Sequence, residues 1–264
     1  MSQKNDLEEK ILSLSFFTPD KFRNIAYVQT EAKNCDQKLP GVIFFGGFAS
    51  DMDGTKAIAL EKWAIESKRD FIRFDYTGHG SSSGEFLLGS IKSWFQDALD
   101  VLDNLTHGPQ ILVGSSMGGW IALLIAKFRV DRVHSFLGIA AAPDFTEDAF
   151  WANLTPSQKA DIETRGYIES FPENLDKSYK ISKALIFHSR ELLIFRDQLI
   201  LEIPVRFLQG SEDSEVSSKL AVKLLNHISC ADSELTILKG ADHRFSEINC
   251  IELIIKKIEE LSLI

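Results

Sequence analysis

Short runs of apolar and β-branched residues alternate along the chain with longer stretches whose apolar positions recur every three or four residues. The runs at 24–30 (NIAYVQT), 42–45 (VIFF), 70–75 (DFIRFD), 110–114 (QILVG) and 133–140 (VHSFLGIA) predict strands. Two more follow at 204–209 (PVRFLQ) and 234–238 (ELTIL). The central runs are apolar on both alternating faces, as parallel strands are when helices cover them on both sides. Helical spacing occupies 53–67, 90–105, 117–128, 217–227 and 248–261. Strand and helix in alternation predict an α/β fold with an open, mostly parallel sheet and helices on both faces.

Residues 143–202 break the alternation. They hold helical patterns and many aromatics, among them Phe145, Phe150, Trp151, Tyr167, Phe171, Tyr179, Phe187 and Phe195, with no clear strand. Pro156, Gly166 and Pro172 divide the stretch, which reads as a helical insertion between two sheet strands.

Composition adds bounds rather than detail. The 264 residues are 44% hydrophobic and 25% charged, which excludes a disordered, collagenous or disulfide-stapled chain. Cys35, Cys230 and Cys250 lack metal-site spacing, and an odd count predicts reduced thiols. The first ten residues are polar and partly acidic, unlike a secretory or organelle signal, so a cytoplasmic protein is expected. No apolar run approaches bilayer length, so no stable membrane insertion is expected. A net charge of -9 argues against nucleic acid as a partner.

The chemistry centres on Gly114-Ser115-Ser116-Met117-Gly118, which fits G-x-S-x-G between the strand QILV and the apolar helix GWIALLIAKF. Strand, tight turn and helix are the setting in which a serine is held above a sheet as a nucleophile. A hydroxyl needs a base, and the base needs an orienting acid. Asp213 follows the strand PVRFLQ, and His243 lies in the loop after ELTIL. Glu212, Glu215 and Asp144 rival Asp213 as the acid. His79, in a glycine turn, reads as loop structure; His107, His134, His188 and His227 read as surface or packing residues. Oxyanion donors are expected at the backbone N–H groups of Met117 and Phe48, the latter after Gly46-Gly47.

With these residues in place the chain resembles the α/β-hydrolases of the serine esterase and thioesterase kind. It is closest to the abhydrolase-domain group of palmitoyl-protein thioesterases and mycophenolic acid acyl-glucuronide esterases, with its bacterial relatives. The closer match is carried by the D-G-T-K-A run at 53–57, I-R-F-D-Y at 72–76, the block 108–120 around Ser116, and Asp242-His243-Arg244. The resemblance implies Ser116 as nucleophile, Asp213 as acid, His243 as base, and no metal or cofactor. The order of the motifs, with Ser116 before the insertion and Asp213 and His243 after it, implies one α/β-hydrolase domain over 1–264 with 143–202 as a helical cap. The implied substrate is an acyl ester or an S-acylated protein, and the net charge disfavours strongly anionic acyl donors. The aromatics of the insertion fit either a lid over an acyl pocket or the insertion's own small core. Two other functions stay open. A proline-releasing peptidase would use Glu163, Glu169 or Glu173 to hold an amino terminus; a binding protein on a hydrolase scaffold would need no triad.

Overall fold

Eight strands carry the site. A computed structural model describes residues 10–15, 22–32, 39–170 and 179–264; Cys35, Phe171, Pro172 and Glu173 lie outside these. The chain runs β1 (Lys10–Ser15), β2 (Phe22–Thr30), β3 (Gly41–Phe45), α1 (Thr55–Glu66), β4 (Phe71–Phe74) and α2 (Ile91–Leu105). Next come β5 (Gln110–Ser115), α3 (Met117–Phe128), β6 (Val133–Ile139), α4 (Pro156–Arg165), β7 (Tyr167–Ser170), β8 (Tyr179–Ser182) and α5 (Lys183–Phe187). It closes with β9 (Leu199–Ile200), β10 (Val205–Gly210), α6 (Ser218–His227), β11 (Ile228–Ser229), β12 (Ser233–Leu238) and α7 (Ile248–Leu261). The large sheet has the order β1-β2-β4-β3-β5-β6-β10-β12. Strand β2 is antiparallel to β1 and β4, and every later pairing is parallel.

Period-two alternation sorts the strand residues between two cores. Ile43, Phe45 and Leu112 pack with α2 and α3, while Val42, Phe44, Ile111 and Val113 pack with α1 and α7. Helix α3 is the most enclosed element: Met117 to Ala126 are all buried, so this helix cannot shift without disturbing the core.

Two expectations are corrected. The stretch between β6 and β10 is not wholly helical, because β7 and β8 form an antiparallel hairpin with Ile168 opposite Ile181 and Glu169 opposite Lys180. Each strand has four residues, too few for an alternating pattern to stand out. Strand β1, missing from the predicted set, pairs with β2 at the sheet edge. The expected punctuation does hold at α4, where Pro156 is the first helical residue and Gly166 ends the helix with φ +89°.

Candidate active site

Ser116 sits between β5 and α3 with φ 54° and ψ −118°, a conformation that costs about 1–3 kcal/mol for a non-glycine residue. Its backbone is clamped on both sides. The Ser116 N–H donates to the Ile139 carbonyl at 2.9 Å, and its own carbonyl accepts from Gly119 (2.9 Å) and Ala142 (3.1 Å). The glycines of the motif are a packing requirement. A Cβ at Gly118 would lie 2.1 Å from the Phe45 carbonyl oxygen, and one at Gly114 would lie 2.4 Å from the Gly118 oxygen.

The loops after β10 and β12 bring the other two predicted residues to this serine. His243 Nε2 lies 3.1 Å from Ser116 Oγ, and Nδ1 lies 2.9 Å from Asp213 Oδ2. With the Nδ1–H donating to Asp213, Nε2 is the lone-pair nitrogen and faces the Ser116 hydroxyl. The Asp213 side chain is wholly buried, while that of His243 is 16% exposed and so open to a substrate. Asp213 Oδ1 accepts the N–H groups of Glu215 (2.9 Å) and Val216 (2.8 Å), and Oδ2 also accepts from Gln209 Nε2 (2.9 Å). Burial alone would push this carboxyl up. The hydrogen bonds from His243, Val216 and Gln209, with the His243 charge, outweigh it and hold the carboxyl below its ordinary value.

The rival acids fall elsewhere. Asp144 is buried in a separate role, with its two oxygens accepting the N–H groups of Ile194 (2.8 Å) and Phe195 (3.0 Å). Glu212 is exposed, and Glu215 Oε2 comes within 3.6 Å of His243 Nε2, not Nδ1. His134 and His227 bond to the carbonyls of Leu261 and Ile194. Glu169 pairs with Lys180 at 3.9 Å, and Glu173 lies outside the described residues.

Phe48 and Met117 flank the serine. Met117 opens α3, and a Cβ at Gly47 would stand 3.6 Å from Ser116 Cβ, so the 46–50 loop passes directly over Ser116. Among the described residues neither the Phe48 nor the Met117 N–H donates to a protein acceptor, leaving both for a ligand oxygen. The Phe48 ring is the hub of an aromatic cluster with Phe86, Trp94, Phe145, Phe150 and Tyr179, at centroid distances of 5.1 to 6.0 Å. Other aromatics pack within the insertion, as Trp151 does on Phe187 at 5.4 Å. Aromatics of the insertion thus pack both on the Phe48 loop and against one another. A cleft of about 620 Å³ opens off this loop, lined by Ala49, Ser50, Phe86, Leu87 and Tyr179, with Asp51, Glu85 and Lys180 also on its wall. Neither Ser116 nor His243 lines it.

Several supporting residues had no signal in pattern alone. Buried His79 accepts the Ala49 N–H at 3.2 Å through Nε2. Asp75 Oδ1 accepts from Met52 N–H (2.7 Å) and Oδ2 from Ser81 N–H (2.8 Å). Arg73 binds Glu61 and Asp53, each at 2.6 Å, and the Met52 carbonyl at 3.0 Å. Lys56 donates from Nζ to the Arg244 carbonyl beside His243, and burial lowers its pKa to about 8. The D-G-T-K-A and I-R-F-D-Y runs thus brace the loops on both sides of the serine.

Comparison with known proteins finds relatives of the same fold. Residues 42–247 match the model of the alpha/beta hydrolase family. The rat palmitoyl-protein thioesterase ABHD10, mitochondrial, is 35% identical over 251 residues, covering 94% of this chain and 82% of that protein. Among solved structures, a putative hydrolase from Agrobacterium vitis S4 superposes with a TM-score of 0.89 at 33% identity, covering 97% of this chain and 99% of that one. Mouse alpha/beta hydrolase domain-containing protein 10 gives a TM-score of 0.83 at 32% identity, with coverages of 96% and 98%.

Proposed function

We propose that this chain, which belongs to the α/β hydrolase family, hydrolyses acyl esters or thioesters through a serine-bound acyl intermediate. The observation that carries the reading is the line Asp213–His243–Ser116, with contacts of 2.9 and 3.1 Å. His243 Nε2 takes the Ser116 proton as Oγ attacks the acyl carbon, and Asp213 holds the imidazole in the accepting tautomer. The N–H groups of Met117 and Phe48 receive the oxyanion. His243 returns the proton to the departing thiol or alcohol, then takes one from water as the acyl-enzyme is cleaved.

The substrate we propose is an S-acylated protein with a long acyl chain. Two things support it: the thioesterase relatives at about a third identity, and the Phe48, Phe145, Phe150 and Tyr179 cluster, which offers apolar surface beside the oxyanion loop. In this reading residues 143–202 act as the cap that selects the acyl group.

The test is labelling by a fluorophosphonate, followed by p-nitrophenyl esters and S-acyl peptides of rising chain length. Labelling is expected in the wild type and lost in Ser116→Ala, with turnover rising toward long chains. Labelling that survives Ser116→Ala sinks the choice of nucleophile. A rate that collapses beyond about four carbons sinks the long-chain assignment, since each buried methylene should contribute about 0.8 kcal/mol of binding.

A further inference from the structure

A second carboxylate stands at the working face of His243. Glu215 Oε2 lies 3.6 Å from Nε2, the nitrogen that faces Ser116 Oγ at 3.1 Å. Its placement is tied to the site. Asp213 takes His243 Nδ1 on one oxygen and the Glu215 and Val216 N–H groups on the other, so a single buried carboxylate fixes both the imidazole and the backbone that presents Glu215. Gln209 bonds to both Asp213 Oδ2 and the Val216 carbonyl, at 2.9 Å each, and locks the same turn from beneath. The Glu215 side chain is 44% exposed. Among the described residues no Lys or Arg lies within ion-pair distance of it.

The consequence follows from the acyl-transfer reading, on which this inference rests. When Ser116 Oγ bonds to the acyl carbon and the carbon–sulfur or carbon–oxygen bond breaks, the proton that His243 took from Ser116 passes from Nε2 to the departing atom. That atom must come within about 3 Å of Nε2, which places it within about 7 Å of the Glu215 carboxylate. A charged side chain next to that atom can reach the same range of Glu215, where attraction or repulsion between unit charges, partly screened by solvent, changes a rate by about three- to tenfold.

We propose that Glu215 selects the leaving group by charge. It favours acyl groups carried on a cysteine or hydroxyl flanked by cationic side chains, and it disfavours those whose departing side bears a carboxylate or phosphate next to the reacting atom. The acyl specificity lies with the cap and the leaving-group specificity with this turn, so the two are separable.

The test uses the full chain and three peptides that share one S-octanoyl group: acetyl-Arg-Cys-Arg-amide, acetyl-Ala-Cys-Ala-amide and acetyl-Glu-Cys-Glu-amide. The readout is the ratio of kcat/KM between the Arg and Glu peptides at low salt. This ratio cancels any effect on the machinery common to all three. In the wild type it should be about tenfold and shrink as salt is raised. Glu215→Gln should bring it within about twofold of unity, and Glu215→Lys should invert it. A ratio unchanged in both variants overturns the role of Glu215 and leaves the hydrolase reading intact. A wild type that cleaves none of the peptides and no p-nitrophenyl octanoate overturns the acyl-transfer reading beneath it.

Discussion

His79 Nε2 accepts the backbone N–H of Ala49 at 3.2 Å, which fixes the loop that crosses Ser116 from a glycine turn thirty residues further along the chain. The imidazole is buried against Tyr76, Phe86 and Trp94, and burial lowers its pKa to about 4, so it is neutral at working pH and keeps a lone pair for the amide. Ala49 needs that restraint, because it holds φ +53° without being glycine.

His79→Ala should therefore lower kcat by about ten- to a hundredfold, since a catalytic group displaced by about 1 Å costs rate on that scale. KM should move less, because the aromatic wall around Phe48 stays. Steady-state rates and fluorophosphonate labelling rates should fall together. A kcat within twofold of wild type would show that the loop holds its shape without this bond.

Gly47 and Gly118 should respond to alanine in opposite ways. A methyl group at Gly118 meets the Phe45 carbonyl at 2.1 Å, so Gly118→Ala must displace β3 or the elbow and should destabilise the fold by about 1–3 kcal/mol or more. A methyl group at Gly47 meets Ser116 Cβ at 3.6 Å, an ordinary contact, so Gly47→Ala should fold with little change in Tm. It should still lose at least about tenfold in kcat/KM, because the methyl occupies space beside the reacting carbonyl. Equal Tm losses in the two variants would refute the distinction.

Gln209 is the only side chain among the described residues that donates to Asp213 besides His243. Gln209→Leu strips a donor from a buried carboxylate and leaves the Val216 carbonyl without that partner, which should cost about 1–3 kcal/mol of stability. Activity should fall as well, since the lost donor lets the carboxyl rise toward its ordinary value and loosens its hold on Nδ1. Urea denaturation with kcat measured on the folded fraction checks both. A stability loss with kcat unchanged would make Gln209 a structural residue only.

The strand–turn–helix around Ser116 was legible because each part leaves a local mark: an apolar run, glycines where a Cβ would strike backbone, and an apolar helix. The order Ser116, Asp213, His243 was legible because each residue follows a strand in a sheet whose alternation is strong. What brings in Gln209, His79 and Glu215 is tertiary. His79 lies in a glycine turn whose sequence says only that the chain bends, and its partner Ala49 is unremarkable in any local pattern. Asp144 made a reasonable rival acid until the fold placed it under Ile194 and Phe195. The β7–β8 hairpin escaped notice because its cross-strand pairs, Ile168 with Ile181 and Glu169 with Lys180, exist only after the strands meet.

Acid should reveal a hidden compensation between His79 and Asp97. Asp97 is buried on α2, accepts from the N–H and hydroxyl of Thr77 at 2.7 and 3.0 Å, and pairs with Arg23; burial outweighs these partners and raises its pKa to about 6. Below about pH 6 the folded chain holds a proton on Asp97 that the unfolded chain, with its ordinary carboxyl, releases until about pH 4. His79 does the reverse: from about pH 6.5 to 4 the unfolded chain holds a proton that the folded chain excludes. Stability rises with pH where the unfolded state binds more protons, so His79 costs stability on acidification while Asp97 returns it. The two nearly cancel between about pH 6 and 4. Asp97→Asn removes the compensation and exposes the His79 contribution, so the variant should lose about 2 kcal/mol more than the wild type between about pH 7 and 4.5. His79→Phe should lose correspondingly less than the wild type. Urea denaturation of the three proteins at both pH values decides it, and parallel losses in all three would mean that neither buried group titrates as its surroundings require.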